Sequence, residues 1–378
     1  MANVLWIGTF DPNFARNRKL ARLLELGGHR VDVVNRFIWG NRRYEIANER
    51  KSGLALRAVR AYLELVWRMA RAPRPDLVLI GYPGWFDMLL LGSLARLRRL
   101  PVVFDIFIGA HDTVVGDRRL VSPRSVVARF LLAADRWSIR LATRTIADTP
   151  AHAAFFATLA GITPARFDVV PLGAQDDVFR PQPDVEAEDD LVLFHGTFIG
   201  LQGLDTIVRA AKLLEDDGIR VRLLGSGQEQ PMVDALLAEL APSNVEAVGL
   251  VPLDEVPRHI ASAAVCLGIF GTSDKASRVI PNKLYECLAV GRPVLTGATD
   301  AVAATFRDEV AVTPVGDPEA LARSLRALLA DPARRAEMAE RGHQRYLDEF
   351  EEHALARLLD GVLSRATVGA GGLSASER

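Results

Sequence analysis

One segment predicts the architecture of this chain better than any other, and it reads Arg278-Val279-Ile280-Pro281-Asn282-Lys283-Leu284-Tyr285-Glu286-Cys287-Leu288-Ala289-Val290-Gly291-Arg292-Pro293-Val294-Leu295. The pattern predicts an amphipathic helix that begins behind Pro281 and Asn282, carries one acid, Glu286, and ends at Gly291, where a short apolar strand follows. The free N–H groups and the positive dipole end of such a helix can bind a phosphate. A carboxylate one turn further along can accept hydrogen bonds from two sugar hydroxyls. One more helix of an α/β sheet, with a solvated Glu286, would explain the segment equally well.

The composition is that of a globular protein with room for two domains. The chain has 378 residues, of which 49% are hydrophobic, and this length is about twice that of a typical domain. Its two cysteines, Cys266 and Cys287, lie in apolar segments, so we expect buried thiols in a reducing compartment rather than a disulfide. The first residues run directly into a strand pattern without a leader, and no apolar run approaches the roughly 18 residues of a membrane span. We therefore expect a cytoplasmic protein with no transmembrane helix.

Charge is distributed unevenly between the two halves of the chain. Residues 1–172 carry 26 Lys and Arg against 14 Asp and Glu, which gives +12, and the remainder carries 20 against 33, which gives −13; the sum is the net charge of −1. A basic half suggests that this half meets an anionic partner. Attraction between two oppositely charged halves is the alternative.

Much of the positive charge lies between Arg36 and Arg74, where ten basic residues stand against three acids. Apolar residues recur there at helical spacing between the arginines, and they are Leu54, Leu56, Val59, Tyr62, Leu63, Val66, Trp67 and Ala70. A basic amphipathic helix that carries Trp and Tyr fits contact with a membrane surface. A buried stripe with a basic solvent face fits nearly as well, and no recognition motif supports a nucleic-acid partner.

Short apolar strands alternate with longer helical patterns almost throughout, which indicates βαβ units and parallel sheets. In the first half, strands are predicted at 3–7, 30–34, 76–80, 102–107, 145–148 and 167–170. The helices between them are predicted at about 15–27, 53–71, 86–99, 123–141 and 150–160.

The alternation stops at 178–190, where two prolines and an acidic run are typical of a linker. Beyond it, strands are predicted at 191–195, 220–224, 245–248, 264–269 and 294–296, and helices at 203–215, 229–239, 254–262, 281–290, 317–330, 332–349 and 350–365. We therefore predict an α/β fold with two Rossmann-like, doubly wound parallel-sheet domains, 1–177 and 191–349, facing a cleft of the kind that binds ligands. Residues 366–378 are predicted to form a disordered tail.

Each predicted domain opens with a strand that runs into a glycine turn, Gly8-Thr9-Phe10 in the first and Gly196-Thr197-Phe198 in the second. Glycine lets the backbone approach a phosphate, and the helix that follows supplies N–H donors. Neither turn matches G-x-G-x-x-G or a Walker A loop, which argues against NAD binding and ATP hydrolysis. Taken alone each turn is a weak signal, because any strand-to-helix turn can contain glycine.

A third turn, Gly225-Ser226-Gly227, follows another predicted strand and would admit a flat base or a ribose, or be a tight turn with no ligand. Lys275, Arg278 and Lys283 crowd the predicted start of the helix that carries Glu286. Cations there oppose the helix dipole by about 0.3–1 kcal/mol each, and a bound anion would remove that conflict. The alternative is three solvated cations on a surface loop.

Candidate catalytic groups lie near the end of the predicted strand 102–107. Asp105 stands in an apolar run, where an unpaired carboxylate would be costly, so it has either a partner or a functional role. His111 lies just past the strand, where catalytic groups gather in such folds, although a single histidine is more often structural. The sequence contains no DxD triplet and no His/Cys spacing typical of metal ligands, so it predicts no metal site.

Together these motifs resemble the GT-B glycosyltransferases, specifically the large retaining family 4, and the resemblance covers nearly the whole chain. The matching segments are the first glycine turn with GGHRV (27–31), VVPLGAQDDVF (169–179), HGTF and QGLDTIVRAAKLL (195–198 and 202–214), LLGSGQE (223–229), VGLVPLDEVPRHIASAAVCLGIF (248–270) and PNKLYECLAVGRPVL (281–295). The resemblance implies a GT-B fold whose helix 350–365 packs back on the first domain. It also implies glycosyl transfer from a UDP- or GDP-type sugar with retention at the anomeric carbon, and with no metal or other cofactor.

The resemblance further implies roles for individual residues. It assigns Glu286 to the ribose hydroxyls and the glycine turn at 225–227 to the nucleoside. It places the acceptor mainly on the first domain, where Arg16 and Arg18 follow the first glycine turn. The donor-side candidates are Gly8, Thr9, Gly196, Thr197, Gly225, Gly227, Lys275, Arg278, Asn282, Lys283, Leu284 and Glu286, and the catalytic candidates are His111, Asp105 and Arg278.

The chain departs from the family pattern where positive charge is needed. The family's paired acids are eight positions apart, and Arg278 stands eight before Glu286. The usual Arg and Lys of the second domain's opening turn correspond to about Thr197 and to Gln202, which are uncharged. Because a departing nucleoside diphosphate still needs positive charge, we predict that Arg278, Lys275 or Lys283 supplies it.

Two classes of function follow from these patterns. The first is an active glycosyltransferase with a nucleotide-sugar donor and an anionic or lipid-linked acceptor at the inner membrane face, a soluble aglycone or a polysaccharide end being the alternative acceptor. The second is a catalytically inactive GT-B protein that binds a nucleotide or a partner as an accessory or scaffold. The uncharged turn favours this second class, whereas the Glu286 helix and the cationic cluster favour the first. A GT-B epimerase would need acid and base residues that the sequence does not identify.

Overall fold

The computed structural model describes residues 1–38, 51–117 and 120–371. The chain divides into two compact units, one with Met1–Asp148, His152–Val170 and the chain from Leu355 onward, the other with Thr149–Ala151 and Pro171–Ala354. Each unit is built around a parallel sheet of six strands. The predicted class, two doubly wound α/β domains, is therefore confirmed.

The sheet of the first unit consists of short strands of Val, Leu and Ile. The strands are β1 (Asn3–Gly8), β2 (Arg30–Asn35), β3 (Leu77–Ile80), β4 (Val102–Asp105), β5 (Arg144–Ala147) and β6 (Phe167–Val169). Their order is β2-β1-β3-β4-β5-β6, and all neighbours are parallel. All residues of β3 and β4 are buried, as expected for strands covered on both faces.

Helices cover both faces of this sheet. Alternation along β1 directs Leu5 and Ile7 toward the layer that contains the helices 51–71, 126–141 and 150–160, whereas Val4 and Trp6 face the first and last helices of the chain. The helices before the second unit are α1 (Ala15–Leu26), α2 (Lys51–Arg71), α3 (Trp85–Asp87), α4 (Ser93–Leu97), α5 (Val126–Leu141) and α6 (Pro150–Ala160), with π-helical turns at Met88–Gly92 and Asp112–Asp117.

The sheet of the second unit has the same construction. Its strands are β7 (Glu188–His195), β8 (Arg220–Leu224), β9 (Val245–Gly249), β10 (Ala263–Leu267), β11 (Val294–Gly297) and β12 (Ala311–Thr313). The order is β12-β11-β10-β7-β8-β9, again parallel. The carboxyl ends of β7, β8 and β10 therefore meet at one edge, which is where such sheets bind ligands.

Side-chain N-caps begin several helices of the second unit. Asp317 and Asp331 each accept a hydrogen bond from a first-turn N–H, and a proline follows each of them. The helices are α7 (Leu204–Leu213), α8 (Gln230–Leu240), α9 (Val256–Ser262), α10 (Asp274–Arg278), α11 (Asn282–Val290), α12 (Asp300–Thr305), α13 (Pro318–Leu329), α14 (Pro332–Arg345) and, extending into the first unit, α15 (Glu352–Gly371).

The acidic end of the predicted linker is a strand. Strand β7 begins at Glu188 rather than at 191, because the acids have partners on neighbouring elements. Arg220 of β8 donates to Glu188 and Asp190 at 2.7 Å each, and Arg335 of α14 pairs with Asp189 at 2.7 Å. Composition alone does not reveal such pairing.

The last helix is longer than predicted. It ends at Gly371, so the prediction of a tail from 366 was wrong over 366–371, and residues 372–378 lie outside the described residues. Ala366 is fully buried in the cluster that Leu355, Leu359 and Leu363 form against the first sheet. This packing continues the helix beyond the last strong period of the sequence.

The sequence patterns did not predict some of the short helices and strands. Strand β12 and helices α10 and α12, which are three to six residues long, were not predicted, because so few residues show no period. The predicted strand 102–107 ends at Asp105, since Phe107 has φ of 45°, which an extended strand does not allow.

Cys266 and Cys287 are buried free thiols, as predicted. Within the described ranges, no helix is both long and apolar enough to cross a bilayer.

Candidate functional site

Helix α11 begins at the carboxyl edge of the second sheet without a side-chain cap. Its N-cap residue is Pro281, which has no side-chain acceptor, and the N–H of Leu284 bonds to the Pro281 carbonyl at 3.0 Å. The N–H groups of Asn282 and Lys283 lie at the positive end of the helix dipole. The backbone therefore forms the predicted helix start, whose free N–H groups can bind a phosphate.

Glu286 has a histidine partner that the sequence did not predict. Its Oε2 lies 2.9 Å from Nε2 of His195, the last residue of β7. A carboxylate only accepts, so His195 donates through Nε2. Among the described residues, Nδ1 of His195 is buried and has no hydrogen-bond partner. Glu286 keeps 17% of its side chain exposed, so its other oxygen can accept from a ligand hydroxyl.

Lys283 is the cation that the fold places closest to the second glycine turn. Its side chain is buried, its Nζ donates to Gln202 Oε1 at 2.6 Å, and Nζ lies 3.5 Å from the centre of the Phe194 ring. A Cβ on Gly196 would approach Nζ to 3.2 Å. Burial holds the pKa of Lys283 well below its ordinary value, opposed by Cys287 and Glu286.

Lys275 and Arg278 occupy a different position from the one expected. They lie in the last turn of α10, a separate helix that ends before Val279, and only Lys283 belongs to α11. Cations at the C-terminal end of a helix complement its dipole. Lys275 and Arg278 therefore complement the dipole of their own helix, and their predicted role at the start of α11 stays a prediction.

The two glycine turns of the second unit form one backbone platform. Gly225 has φ of 139°, and a Cβ there would lie 1.9 Å from the Gly196 carbonyl oxygen, so only glycine fits. The N–H of Phe198 donates to the Ser226 carbonyl at 3.1 Å, and Gly227 packs against the Phe198 backbone. This platform lies next to Lys283.

The structure adds no support for donor binding by two of the predicted donor-side residues, Leu284 and Thr197. The side chain of Leu284 is fully buried and its N–H is already bonded, whereas Thr197 is exposed. Their roles in donor binding stay predictions.

The glycine turn of the first unit is occupied by a carboxylate of the protein. Asp87 Oδ2 accepts from the Thr9 N–H at 2.8 Å, and a Cβ on Gly8 would lie 2.5 Å from the same oxygen. Asp87 Oδ1 accepts from the Thr9 hydroxyl at 3.1 Å and from the Tyr62 hydroxyl at 2.9 Å. Burial raises the pKa of Asp87 to about 6. Gly8 and Thr9, predicted on the donor side, thus already serve an internal anion.

Asp105 has a partner, one of the two alternatives that its sequence left open. Its carboxylate receives Nε of Arg16 at 2.8 Å and Nη2 at 3.0 Å, and both side chains are fully buried. Arg16 also donates to the Val170 carbonyl. This pair links α1 to β4, so the predicted roles of Asp105 in catalysis and of Arg16 at the acceptor have no geometric support. Arg18 is exposed.

His111 stands at the start of the helical segment that follows β4. Its N–H and that of Ala110 donate to the two oxygens of buried Asp135, each at 2.9 Å. Burial raises the pKa of Asp135 to about 6. The backbone of His111 is thus fixed by α5, while its partly exposed side chain keeps the predicted catalytic role as a prediction.

Sequence reasoning missed three residues of these clusters, although the sequence held a signal for two of them. His195 ends a predicted strand, and Asp87 interrupts an apolar run, which are the criteria that selected His111 and Asp105. Asp135 carries no such signal, because one acid in a helix is ordinarily solvated. In the part of the chain that the structure describes, no group of three or more His, Cys, Asp or Glu could hold a metal ion.

Comparisons with known proteins agree with this architecture. Residues 15–173 match the family described as glycosyl transferase 4-like domain, and residues 205–360 match that described as glycosyl transferase-like. The D-inositol 3-phosphate glycosyltransferase of Frankia alni is 30% identical over 68% of this chain and 69% of its own length. The lipopolysaccharide core biosynthesis glycosyltransferase LpsE of Rhizobium meliloti is 27% identical over 47% of this chain and 51% of its own. The chain spans about half the length of the first curated relatives it matches.

Solved structures share the fold at low identity. Sucrose-phosphate synthase from Thermosynechococcus elongatus superposes with a TM-score of 0.75 at 18% identity, covering 97% of this chain and 99% of that one. HepE of Anabaena, solved in complex with UDP, superposes with a TM-score of 0.69 at 14% identity, covering 96% of this chain and all of that one. At these identities the likeness shows the fold.

Proposed function

We propose that this chain, which belongs to the GT-B glycosyltransferases of the group 1, family 4 type, transfers a sugar from a UDP- or GDP-type nucleotide sugar with retention and without a metal. The acceptor is a glycan, a lipid-linked sugar or a small molecule. In the reaction, the bond between the anomeric carbon and the β-phosphate oxygen breaks, and a bond from the acceptor oxygen to that carbon forms on the same face. The acceptor proton passes to the leaving phosphate.

One observation carries the proposal. The start of α11, the ammonium of Lys283 and the backbone platform at Gly196 and Gly225 lie together at one edge of the second sheet, with Glu286 one turn along α11. A helix start and a cation suit a diphosphate, and an exposed carboxylate oxygen suits a ribose. HepE, a neighbour in fold, binds UDP and UDP-glucose in its crystal structures.

Lys283 would neutralise the leaving group in place of a divalent ion. Its burial penalises the charged form, and a diphosphate beside Nζ would favour that form again. In exchange for the neutral acceptor Gln202 Oε1, Nζ would donate to an anionic phosphate oxygen, which favours the charged form of the lysine. Electrostatic stabilisation of this kind acts where charge develops in the transition state.

Thermal unfolding with a panel of nucleotides tests the donor site. The panel is UDP, GDP and ADP with their sugars, and one diphosphate should stabilise the protein by about 2.7 kcal/mol at 100 times its Kd. Hydrolysis and transfer of the preferred nucleotide sugar, followed by NMR of the anomeric proton, then test the reaction and its stereochemistry. Binding without turnover in any acceptor mixture would show an inactive nucleotide-binding protein, and no binding at all would refute the donor site.

Helix α2 supports the further proposal that the first unit contacts the cytoplasmic face of a membrane. Of the basic segment predicted there, residues 39–50 lie outside the described residues. The buried side chains of α2 include Leu65 and Met69, which are not part of the predicted stripe; of that stripe, Tyr62 and Val66 pack partly buried against the core. A second stripe is solvent-exposed by 53–66% and consists of Leu56, Val59, Leu63 and Trp67.

The charges beside this stripe are cationic and exposed. They are Arg57, Arg60, Arg68 and Arg71, and the guanidinium of Arg71 lies 4.5 Å from the Trp67 ring centre. Glu64, the acid of α2, is paired with Arg36 and Arg68. Sedimentation with phosphatidylglycerol vesicles should carry the protein down at low salt, and Leu63→Asp should prevent it. Equal sedimentation of both proteins would refute the contact.

A further inference from the structure

The loop that follows β4, residues 106–111, contains a backbone conformation that side chains rarely adopt. Phe107 has φ of 45°, in the left-handed region that favours glycine. A residue stays in such a conformation only where its surroundings fix it, and these residues are enriched at functional sites. The segment, which we call the β4 loop, leaves the sheet at the carboxyl end of β4, where parallel sheets bind ligands.

Helix α5 fixes the end of the β4 loop through Asp135. The two carboxylate oxygens accept the N–H groups of Ala110 and His111, each at 2.9 Å. Gly109 lies against the same carboxylate, since a Cβ at this position would be 3.0 Å from Asp135 Oδ2. The contact therefore uses both oxygens of the acid and leaves little room for a side chain beside them.

A second support holds the middle of the β4 loop. Nε1 of Trp85 donates to the Ile108 carbonyl at 2.9 Å. The backbone of Trp85 is in turn held by α5, because the hydroxyl of Ser138 lies 2.8 Å from the Trp85 carbonyl oxygen. Asp135 and Ser138 stand three positions apart and so lie on the same face of the helix. One face of α5 thus fixes the loop at two points.

Holding the loop with Asp135 lowers the stability of the fold at neutral pH. Burial raises the pKa of Asp135 to about 6, although its bonds to the N–H groups of His111 and Ala110 lower it, and the charge of Asp112 raises it further. Because the folded-state pKa lies above the ordinary value of 3.8, the contribution of Asp135 to stability is present at low pH and is lost as pH rises from about 4 to about 6. A buried acid that opposes folding at neutral pH is typical of a functional site.

We infer that Asp135 is a positioning residue for His111, an inference that rests on the proposed sugar transfer. His111 is the catalytic candidate that the β4 loop carries, and its side chain is partly exposed. Asp135 is buried and bonds to the main chain of His111, so it acts on the reaction only through the place it gives that histidine. A displacement of about 1 Å in a catalytic group is enough to lower a rate severely.

A double-mutant cycle on the full chain tests the coupling between Asp135 and His111. The reaction is turnover of the nucleotide sugar that the UDP, GDP and ADP panel selects, with water as the acceptor. Asp135→Asn replaces one acceptor oxygen by an NH2 group that cannot accept, so kcat should fall about tenfold. KM for the donor should stay within about twofold, because the proposed donor site lies in the second unit. In His111→Ala protein the same change should lower kcat less than about twofold.

Asp87→Asn is the matched control for the cycle. It alters an equally buried acid of the first unit, whose partners are Thr9 and Tyr62. Any change in kcat that it causes should be the same factor with His111 and with His111→Ala, because the two sites share no partner.

Trp85→Phe provides a second variant in case Asp135→Asn does not fold. It keeps an aromatic ring and removes the donor to the Ile108 carbonyl, so it loosens the same loop at its other support. It should lower kcat in the unchanged protein and have little effect in His111→Ala protein.

The remaining outcomes separate the positioning role from the proposed transfer. Equal factors for Asp135→Asn in the two backgrounds, or a change mainly in KM, would show that Asp135 only stabilises the fold, while the transfer itself would stand. If the unchanged protein binds UDP but turns over no nucleotide sugar, the proposed transfer is wrong and the positioning role falls with it.

Discussion

The same tripeptide, Gly-Thr-Phe, stands at the carboxyl end of the first strand of each unit, yet one turn faces an acidic side chain and the other a basic one. In the first unit Gly8 lies against the carboxylate of Asp87, and Thr9 is buried with its N–H and hydroxyl donated to that carboxylate. In the second unit Gly196 lies against Nζ of Lys283, and Thr197 is exposed.

The charge opposite the turn, rather than the tripeptide, decides what the turn can bind. An anion in the first turn would meet the Asp87 carboxylate, whereas an anion in the second would meet Lys283 and the start of α11. Asp87 therefore fills the first turn with a carboxylate of the protein, whereas Lys283 and the start of α11 lie beside the second.

The largest expected effect concerns Asp87. Its folded-state pKa of about 6 lies above the ordinary value of 3.8, so its contribution favours the fold at low pH and is lost as pH rises from about 4 to about 6. Asp87→Asn removes this dependence. The variant should gain about 3 kcal/mol of unfolding free energy relative to the unchanged protein between pH 4 and pH 7, measured by urea unfolding.

Asp105 and Asp135 titrate in both proteins, so the difference isolates Asp87. UDP affinity of Asp87→Asn should remain unchanged. A parallel pH dependence in the two proteins, or a loss of UDP affinity, would contradict the assignment of the first turn to structure.

Lys283→Met should produce the next largest change, and in two opposite directions. It removes a charge-assisted contact with the diphosphate, so UDP affinity should fall about 100-fold. It also replaces a buried cation with an apolar side chain of similar length, so the free energy of unfolding without ligand should rise. Titration with UDP and urea unfolding measure the two effects.

Arg278→Met and Lys275→Met are the matched controls on α10. Each should weaken UDP less than Lys283→Met does, because the described contacts place Lys283 beside Gly196. A larger loss for Arg278→Met would move the diphosphate clamp from α11 to α10.

Glu286→Ala should weaken UDP about tenfold by removing the acceptor for the ribose. The sharper measurement compares UDP with its 2′-deoxy and 3′-deoxy analogues. The unchanged protein should prefer UDP, and Glu286→Ala should lose that preference. His195→Asn, which keeps a donor near Glu286 Oε2, should preserve it; if the preference survives in Glu286→Ala, the carboxylate does not read the ribose.

The fold could be predicted from the sequence because its strands are short apolar runs separated by helical periods. Eleven of the strands followed from that alternation, whereas β12, with three residues, is too short to show one. The start of β7 and the end of α15 depended on partners elsewhere in the chain, namely Arg220 for the acids of β7 and the first sheet for Ala366. Local patterns do not contain such contacts.

The site was predictable only where one segment supplied it. The helix start at Pro281, with Lys283 and Glu286, lies within a single run of sequence, so its spacing alone places these groups together. The meeting of Glu286 with His195, and of Gly8 with Asp87, joins residues far apart in the chain. The sequence therefore suggested phosphate binding for both glycine turns, and only the packed structure distinguishes them.

The smallest expected effect compares the two threonines directly. Thr9→Val removes a hydroxyl that donates to buried Asp87, so one carboxylate oxygen loses a hydrogen bond in a site with no solvent to replace it. The free energy of unfolding at pH 7 should fall by about 1–2 kcal/mol. Thr197→Val changes an exposed side chain, so it should change the free energy of unfolding by no more than about 0.5 kcal/mol.

Urea unfolding of the two variants and of the double variant measures both changes in unfolding free energy. The two changes should add, because the two sites share no partner. Equal losses for the two variants would mean that Thr197 has a buried role of its own, and the contrast between an occupied turn and an available one would fail.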